Sequence, residues 1–293
     1  MKNDLGFLVC SFDDKLNIQS FFSFIQQSAV SISFPEQSPL RMDLSLEEWQ
    51  ALIPLPSSSV RTKLDISFVL DTTGSMGDEL NYLQVEIANI AQTIQARFPD
   101  LEQRYAVIPF RDNGDEYLTR NSGFLSDIGA FQAFLNEQSA AGGGDTPEAL
   151  EQGLAEASAN LNWGAEDTSK ILFLITDAPP HENNEAPSFE QLLALKERNI
   201  KIYPLGASGM DQKVELIMRI AALISGAQYL FLTDDSGVGN PHLEPSIPCY
   251  HVEKLSDLMI RVINSEVTNQ TIWPEAEKII RTVGNPSDGL CLE

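Results

Sequence analysis

Residues 64–78 read LDISFVLDTTGSMGD, from Leu64 to Asp78. Leu64, Ile66, Phe68, Val69 and Leu70 form a nearly continuous apolar run rich in β-branched and aromatic residues. That pattern predicts a short strand buried on both faces of a sheet. The run ends at the carboxylate Asp71, and Thr73 and Ser75 follow at alternate positions with their hydroxyls. Gly74 and Gly77 are expected to let the backbone turn sharply around these oxygens, after which Asp78 and Glu79 open a helical pattern. Hard oxygen donors on a tight strand-to-helix loop suit a small divalent cation such as Mg²⁺, which takes a near-octahedral oxygen shell and keeps several waters.

Outward from this stretch, apolar runs alternate with amphipathic ones. Leu83, Val85, Ile87, Ile90, Ala91 and Ile94 recur at helical spacing, and that helix ends near Phe98 and Pro99. Strands are expected over 105–110, 171–176, 200–205 and 229–232, with a short edge strand near 117–124. Helices are expected over 128–135, 147–159, around 189–196, and over 212–223 and 252–267. Strands separated by helices of ten to fifteen residues predict βαβ units. The fold class is α/β: a doubly wound, mostly parallel sheet flanked by helices, with sites at the carboxyl ends of its strands.

Residues 1–62 do not share this rhythm and read as a small amino-terminal α+β region plus linker. Phe21, Phe22, Phe24 and Ile25 predict a short apolar helix, and Val30, Ile32 and Phe34 alternate as a strand does. Ser45 and Glu48 resemble a capping box before Trp49, and Pro54, Pro56 and Ser57 to Ser59 mark a linker. The α/β domain occupies 63–267. A tail, 268–293, is expected to hold one short helix between Pro274 and Thr282.

The chain has 293 residues, of which 43% are hydrophobic, enough for a sizeable core. Its 42 acidic residues outnumber 19 basic ones, for a formal net charge of -23. No Lys/Arg cluster that could neutralise a phosphate backbone is visible, so nucleic acid is not an expected partner. Cys10, Cys249 and Cys291 are odd in number and far apart, which argues against a disulfide framework and for a reducing compartment. The apolar run at the amino end is too short for a secretory signal, and no run reaches membrane-spanning length. A cytoplasmic location is therefore expected.

Two further stretches lie where strands are predicted to end. Gly142-Gly143-Gly144-Asp145-Thr146-Pro147-Glu148 is a glycine-rich loop before a helix whose first residue is expected to be Pro147. Leu174-Ile175-Thr176-Asp177-Ala178-Pro179-Pro180-His181 is another apolar strand ending in a carboxylate. In a doubly wound sheet the three loops can meet above one edge.

Asp71-Thr72-Thr73-Gly74-Ser75 resembles the D-x-[ST]-x-S signature of von Willebrand factor A (VWA) domains, and Asp177 matches that family's distal aspartate. The GGGDTPE and LITDAPPH segments are similar to the A domains of hemicentin-like proteins and of alpha-type kinases that carry one. The resemblance covers roughly 63–267. It implies a Rossmann-like fold and a metal-ion-dependent adhesion site (MIDAS) in which Asp71, Thr73, Ser75 and Asp177 surround Mg²⁺, with Mn²⁺ or Ca²⁺ as substitutes. It also implies one open coordination position, filled by an Asp or Glu carboxylate of a protein partner. The family's middle-loop threonine aligns with Gly144 here, and Asp145 is the expected replacement donor, with Thr146 second. In the related inserted domains the final helix slides, which makes Leu255, Leu258, Met259 and Val262 a candidate sliding face, although a fixed core stripe is the expected reading of such an apolar face.

Each residue also has a plainer reading. Ser75 can cap a helix, Asp145 can be a turn residue before Pro147, and Asp177 can satisfy turn amides. His181 reads as a turn or surface histidine, Arg111, Asp112 and Asp115 as a solvated polar loop, and Thr233-Asp234-Asp235 as a solvated loop rather than a second metal site. A metal-dependent hydrolase or phosphatase is the alternative class, because an aspartate at the end of the first strand with a threonine two residues on is similar to aspartyl-phosphate enzymes. Those need a second aspartate where Thr73 stands, and neither a nucleophile elbow nor a Walker loop is present. The expectation is a non-enzymatic, Mg²⁺-dependent binding module.

Overall fold

The computed structural model describes residues 61–144, 146–207, 209–233, 235, 247–287 and 290–291. The expected helix, strand, capping box and linker within 1–60 lie outside the described residues, as do Cys10, Asp145 and Asp234.

β1, Lys63–Asp71, is buried from Leu64 to Asp71, as its unbroken apolar run requires of a strand covered on both faces. It pairs in parallel with β2, Glu102–Phe110, on one side and β3, Thr168–Thr176, on the other. β4, Lys201–Gly206, and β5, Leu230–Phe231, extend the sheet to the order β2-β1-β3-β4-β5, all parallel. Leu64, Ile66, Phe68 and Leu70 face one layer, formed by α1 (Gly77–Arg97), α2 (Ile128–Asn136) and α6 (Leu255–Thr268). Val69, Ile108, Phe110, Leu172 and Leu174 face the other, formed by α3 (Leu150–Ala155), α4 (Glu185–Glu197) and α5 (Gln212–Ser225). Alternation of side chains along each strand thus feeds two apolar cores, one per face, and the doubly wound class is as expected.

β1 sits between β2 and β3, so the chain leaves it in one direction first and in the other later. That reversal opens a crevice beyond the carboxyl ends of β1 and β3, the usual place for a site in such sheets.

Several boundaries differ from expectation. The helix expected from Pro147 begins at Leu150 and ends in a π-helical turn, Glu156–Asn160, because Glu148 is held in extended geometry: its amide donates to the Pro179 carbonyl at 2.9 Å. Residues 117–125 form no strand; they run antiparallel beside β2 through isolated bridges at Thr119 and Leu125. Tyr250–Val252 is a strand, β6, rather than the start of α6. The tail holds only a 3-10 turn, Ala276–Lys278, and then β7, Arg281–Val283, pairs antiparallel with β6. β8, Pro286–Ser287, and β9, Leu290–Cys291, form a last small hairpin.

The cysteine reading is corrected. Cys249 and Cys291 form a disulfide with Cα atoms 5.8 Å apart, a distance within the range that a disulfide bridges. Their separation of 42 positions hid the pair, because the β6–β7 pairing folds the tail back onto Cys249. Among the described residues no helix is long and apolar enough to cross a membrane.

Candidate metal centre

Asp71 ends β1 fully buried. Its Oδ1 accepts from the Thr73 amide at 2.9 Å and the Thr73 hydroxyl at 2.7 Å, and its Oδ2 accepts from the Thr176 hydroxyl at 2.8 Å. Thr176 also accepts from the Ala178 amide at 3.1 Å, so one hydroxyl fixes both the Asp71 carboxylate and the loop that carries Asp177. Burial pushes the Asp71 carboxyl up to about 7; the Thr73 amide opposes this and the neighbouring Asp177 adds to it.

Gly74 and Gly77 do not supply a left-handed turn: among the described residues neither has positive φ. Gly74 instead permits close approach, its amide donating to the Gly142 carbonyl at 3.3 Å. Ser75 caps no helix, since the first turn of α1 has no side-chain cap. Its hydroxyl hydrogen-bonds Asp177, which opposes the upward push that burial gives the Asp177 carboxyl. Asp71, Thr73, Ser75 and Asp177 are therefore brought together. Asp145 lies outside the described residues, and Thr146, in the same loop, is exposed.

Glu148 was not singled out in the sequence, and the structure brings it to this place. It is 4% exposed, and a parallel bridge to Pro180 ties its backbone to the Asp177 loop. Burial first, and then the fields of Asp71, Asp112, Asp115 and Asp177, push its carboxyl up to about 9. Gly143, at φ +69°, makes room: a Cβ there would lie 3.0 Å from Glu148 Oε1 and 3.3 Å from Thr73 Cβ. Only a residue without a side chain fits that gap comfortably. The sequence signal was the carboxylate three residues beyond Asp145, hidden because helix-opening glutamates are common.

In the loop after β2, Arg111 and Asp112 are buried rather than solvated, contrary to expectation, while Asn113, Gly114 and Glu116 are exposed. Arg111 is 2% exposed; its guanidinium donates to the Thr72 carbonyl at 3.2 Å and the Ser139 carbonyl at 2.6 Å, and lies over the Tyr117 ring. Asp112 is also buried and shares a 2.7 Å hydrogen bond with His181 Nε2. Asp115 Oδ2 accepts from the amides of Asp112 and Gly143 at 3.1 and 3.0 Å. Arg111 thus clamps the β1 loop to the segment leading into the glycine loop, and Asp115 holds the amide of Gly143. At the far sheet edge, Asp235 pairs with Arg281 at 2.7 Å.

Among the described residues, the carboxylate oxygens buried without a hydrogen-bond partner include Asp177 Oδ1 and Glu148 Oε2, and also Glu151 Oε2 on α3. Such atoms carry a desolvation penalty that an unseen positive charge would relieve. Among the described residues, no three His, Cys, Asp or Glu side chains form a metal cluster on their own. The oxygen donors gathered here are thus the hydroxyls of Thr73 and Ser75 together with the carboxylates.

Fold and site together define a doubly wound α/β domain with an oxygen-rich loop cluster at its topological switch point. The chain belongs to the von Willebrand factor A domain family, whose model matches residues 65–233. It is 34% identical over 123 residues to the "Putative ariadne-like RING finger protein R811" of Acanthamoeba polyphaga mimivirus, covering 42% of this chain and 12% of that protein. It is 32% identical over 168 residues to the human "von Willebrand factor A domain-containing protein 7", covering 56% of this chain and 17% of that one. Mouse "Hemicentin-2" is 27% identical over 144 residues, covering 49% and 3%. The chain thus spans a small part of the length of these relatives.

Proposed function

We propose that this chain is a divalent-cation-dependent protein-binding module. Asp71, Thr73, Ser75 and Asp177 hold Mg²⁺ directly or through water, and Glu148 joins them from the middle loop, where Asp145 was the expected donor. The single observation that carries the reading is the pair of partnerless buried oxygens, Asp177 Oδ1 and Glu148 Oε2, beside a buried Asp71 and two hydroxyls. The bound cation supplies a Lewis-acidic position for an external oxygen.

A protein partner presenting an Asp or Glu is the occupant we favour for that position. The third carboxylate lowers the residual charge of the ion, so it strengthens cation binding at the expense of the partner's acid. The cytoplasmic location expected from the sequence stands against the Cys249–Cys291 bond, which belongs to oxidising compartments.

The test is calorimetric titration of Mg²⁺, Mn²⁺ and Ca²⁺ into chelator-treated protein, in parallel with Asp71→Ala, Glu148→Gln and Asp145→Ala. Saturable binding that is lost in Asp71→Ala and weakened about 10- to 100-fold in Glu148→Gln is expected, the scale seen when a supporting ligand is removed. Wild-type protein that binds no cation overturns the reading. Mg²⁺-dependent turnover of phosphate esters, abolished by Asp71→Ala, would replace it with the hydrolase alternative.

A further inference from the structure

Helix α6 is enclosed by a covalent ring. The chain enters it from β6, leaves it into residues 269–280, and returns to β6 as β7, with Tyr250 opposite Val283 and Val252 opposite Arg281. The Ile280 amide donates to the Val252 carbonyl at 2.8 Å. Cys249, one residue before β6, is bonded to Cys291 in β9, a separation of 42 positions. The whole of α6 lies inside that loop.

Helix and returning strap are held by different means. α6 buries Leu255, Met259, Val262, Ile263 and Val267 in the core. The strap has none: from 268 to 286 every residue is at least partly exposed. Its first residues are tied to α6, where the Gln270 and Ile272 amides donate to Ser265 and Arg261 donates to the Ile272 carbonyl. The ties of its returning half include a three-residue ladder, a 3.0 Å hydrogen bond between His251 and Thr282, and surface ion pairs, Lys278 with Asp257 at 3.2 Å and Arg281 with Asp235 at 2.7 Å. Two-stranded hairpins and exposed ion pairs are each marginal in water. Close approach to Cys249 depends on Gly284, at φ +63°, where a Cβ would meet Cys249 Cβ and the Pro248 carbonyl at 2.5 Å each. Cys291 itself is exposed.

We propose that Cys249–Cys291 is a redox-operated latch on the strap: a dithiol reductant opens it and releases β7, Arg281–Val283, from β6, while the sheet stays folded. One thiolate of the reductant attacks a sulfur of the bond and displaces the other cysteine as a thiolate. The second thiol then closes on the mixed disulfide. The reductant leaves as a cyclic disulfide, two electrons have passed to the protein, and Cys249 and Cys291, with two protons, are free thiols. The exposure of Cys291 gives the first step its access. This inference does not depend on the cation site.

The experiment is hydrogen exchange by mass spectrometry on the full chain carrying Cys10→Ser, with and without dithiothreitol, with the thiols counted by alkylation. Without reductant, no cysteine is alkylated; with it, two are. On reduction, the amides of 280–283 are expected to exchange at least tenfold faster, with those of β1 and β3 unchanged. Adding Cys249→Ser and Cys291→Ser reproduces the fast exchange and removes the response to reductant. Gly284→Val, which leaves both cysteines in place, should slow re-formation of the bond after reduction. Alkylation of both cysteines before reduction, unchanged exchange at 280–283 after it, or equal acceleration in β1 and β3 each overturns the latch.

Discussion

Glu148 and Asp71 are carboxylates placed where charge is costly, and the cost has a pH signature. Both have folded-state values above the ordinary carboxylate range, about 9 and about 7. The folded metal-free protein therefore binds these protons more tightly than the unfolded chain does. The stability they contribute is fully present below pH ~4, near the unfolded values, and is lost as pH rises through about 7 and about 9. Thermal melts in chelator should show stability from these groups falling across that window. Glu148→Gln should flatten the upper part of the fall, because it removes the charge and keeps the shape; an unchanged slope would mean that Glu148 is not held as described. Cation binding should run the other way and tighten as pH rises, since the ion competes with those protons. The sequence showed Asp71, Thr73, Ser75 and Asp177 because strand ends mark them. It hid Glu148, the Asp112–His181 pair and the Arg111 clamp, since each depends on a contact between loops far apart in the chain.

At the scale of elements, α3 decides how the middle loop meets the site. Gly153 lies where α3 crosses the sheet, and a Cβ there would fall 2.9 Å from Phe110 Cδ1 and 3.0 Å from Val69 Cγ1. Both neighbours are fully buried, so neither can swing away. Gly153→Ala should cost about 1–3 kcal/mol in chemical denaturation, the usual range for overpacking. It should also weaken cation binding, because the displaced helix carries Glu148 at its mouth. Normal stability in that variant would show that α3 packs more loosely. Strands and long helices were legible because their apolar periods run for many residues, as in β1 and α1. The onset of α3 was not, because Pro147 reads as a helix opener while the backbone bond from Glu148 to Pro179 holds the chain extended for two more residues. β6 and β7 were missed for a related reason: three residues are too few to carry a period, and Val252 joins the apolar pattern of α6.

The whole molecule is governed by its charge of -23. A surface so one-sided repels itself, and that repulsion is long-ranged and screened by salt, over about 10 Å at 0.1 M and about 3 Å at 1 M. The cation proposed for the loop cluster would act differently: it would bind one place in the folded state, and its effect would follow mass action. Melting the metal-free protein at 0.1 M and 1 M KCl should raise the midpoint in wild type and Asp71→Ala alike, because screening does not depend on the site. Adding Mg²⁺ at about 100 times its dissociation constant, at matched ionic strength, should contribute about 2.7 kcal/mol more. For a domain of this size that is a further rise of about 5–10 °C, present in wild type and absent in Asp71→Ala. Equal rises in both proteins would mean that Mg²⁺ acts only as a screening ion, and the oxygen cluster would then be a way of fixing three loops rather than a place where a cation binds.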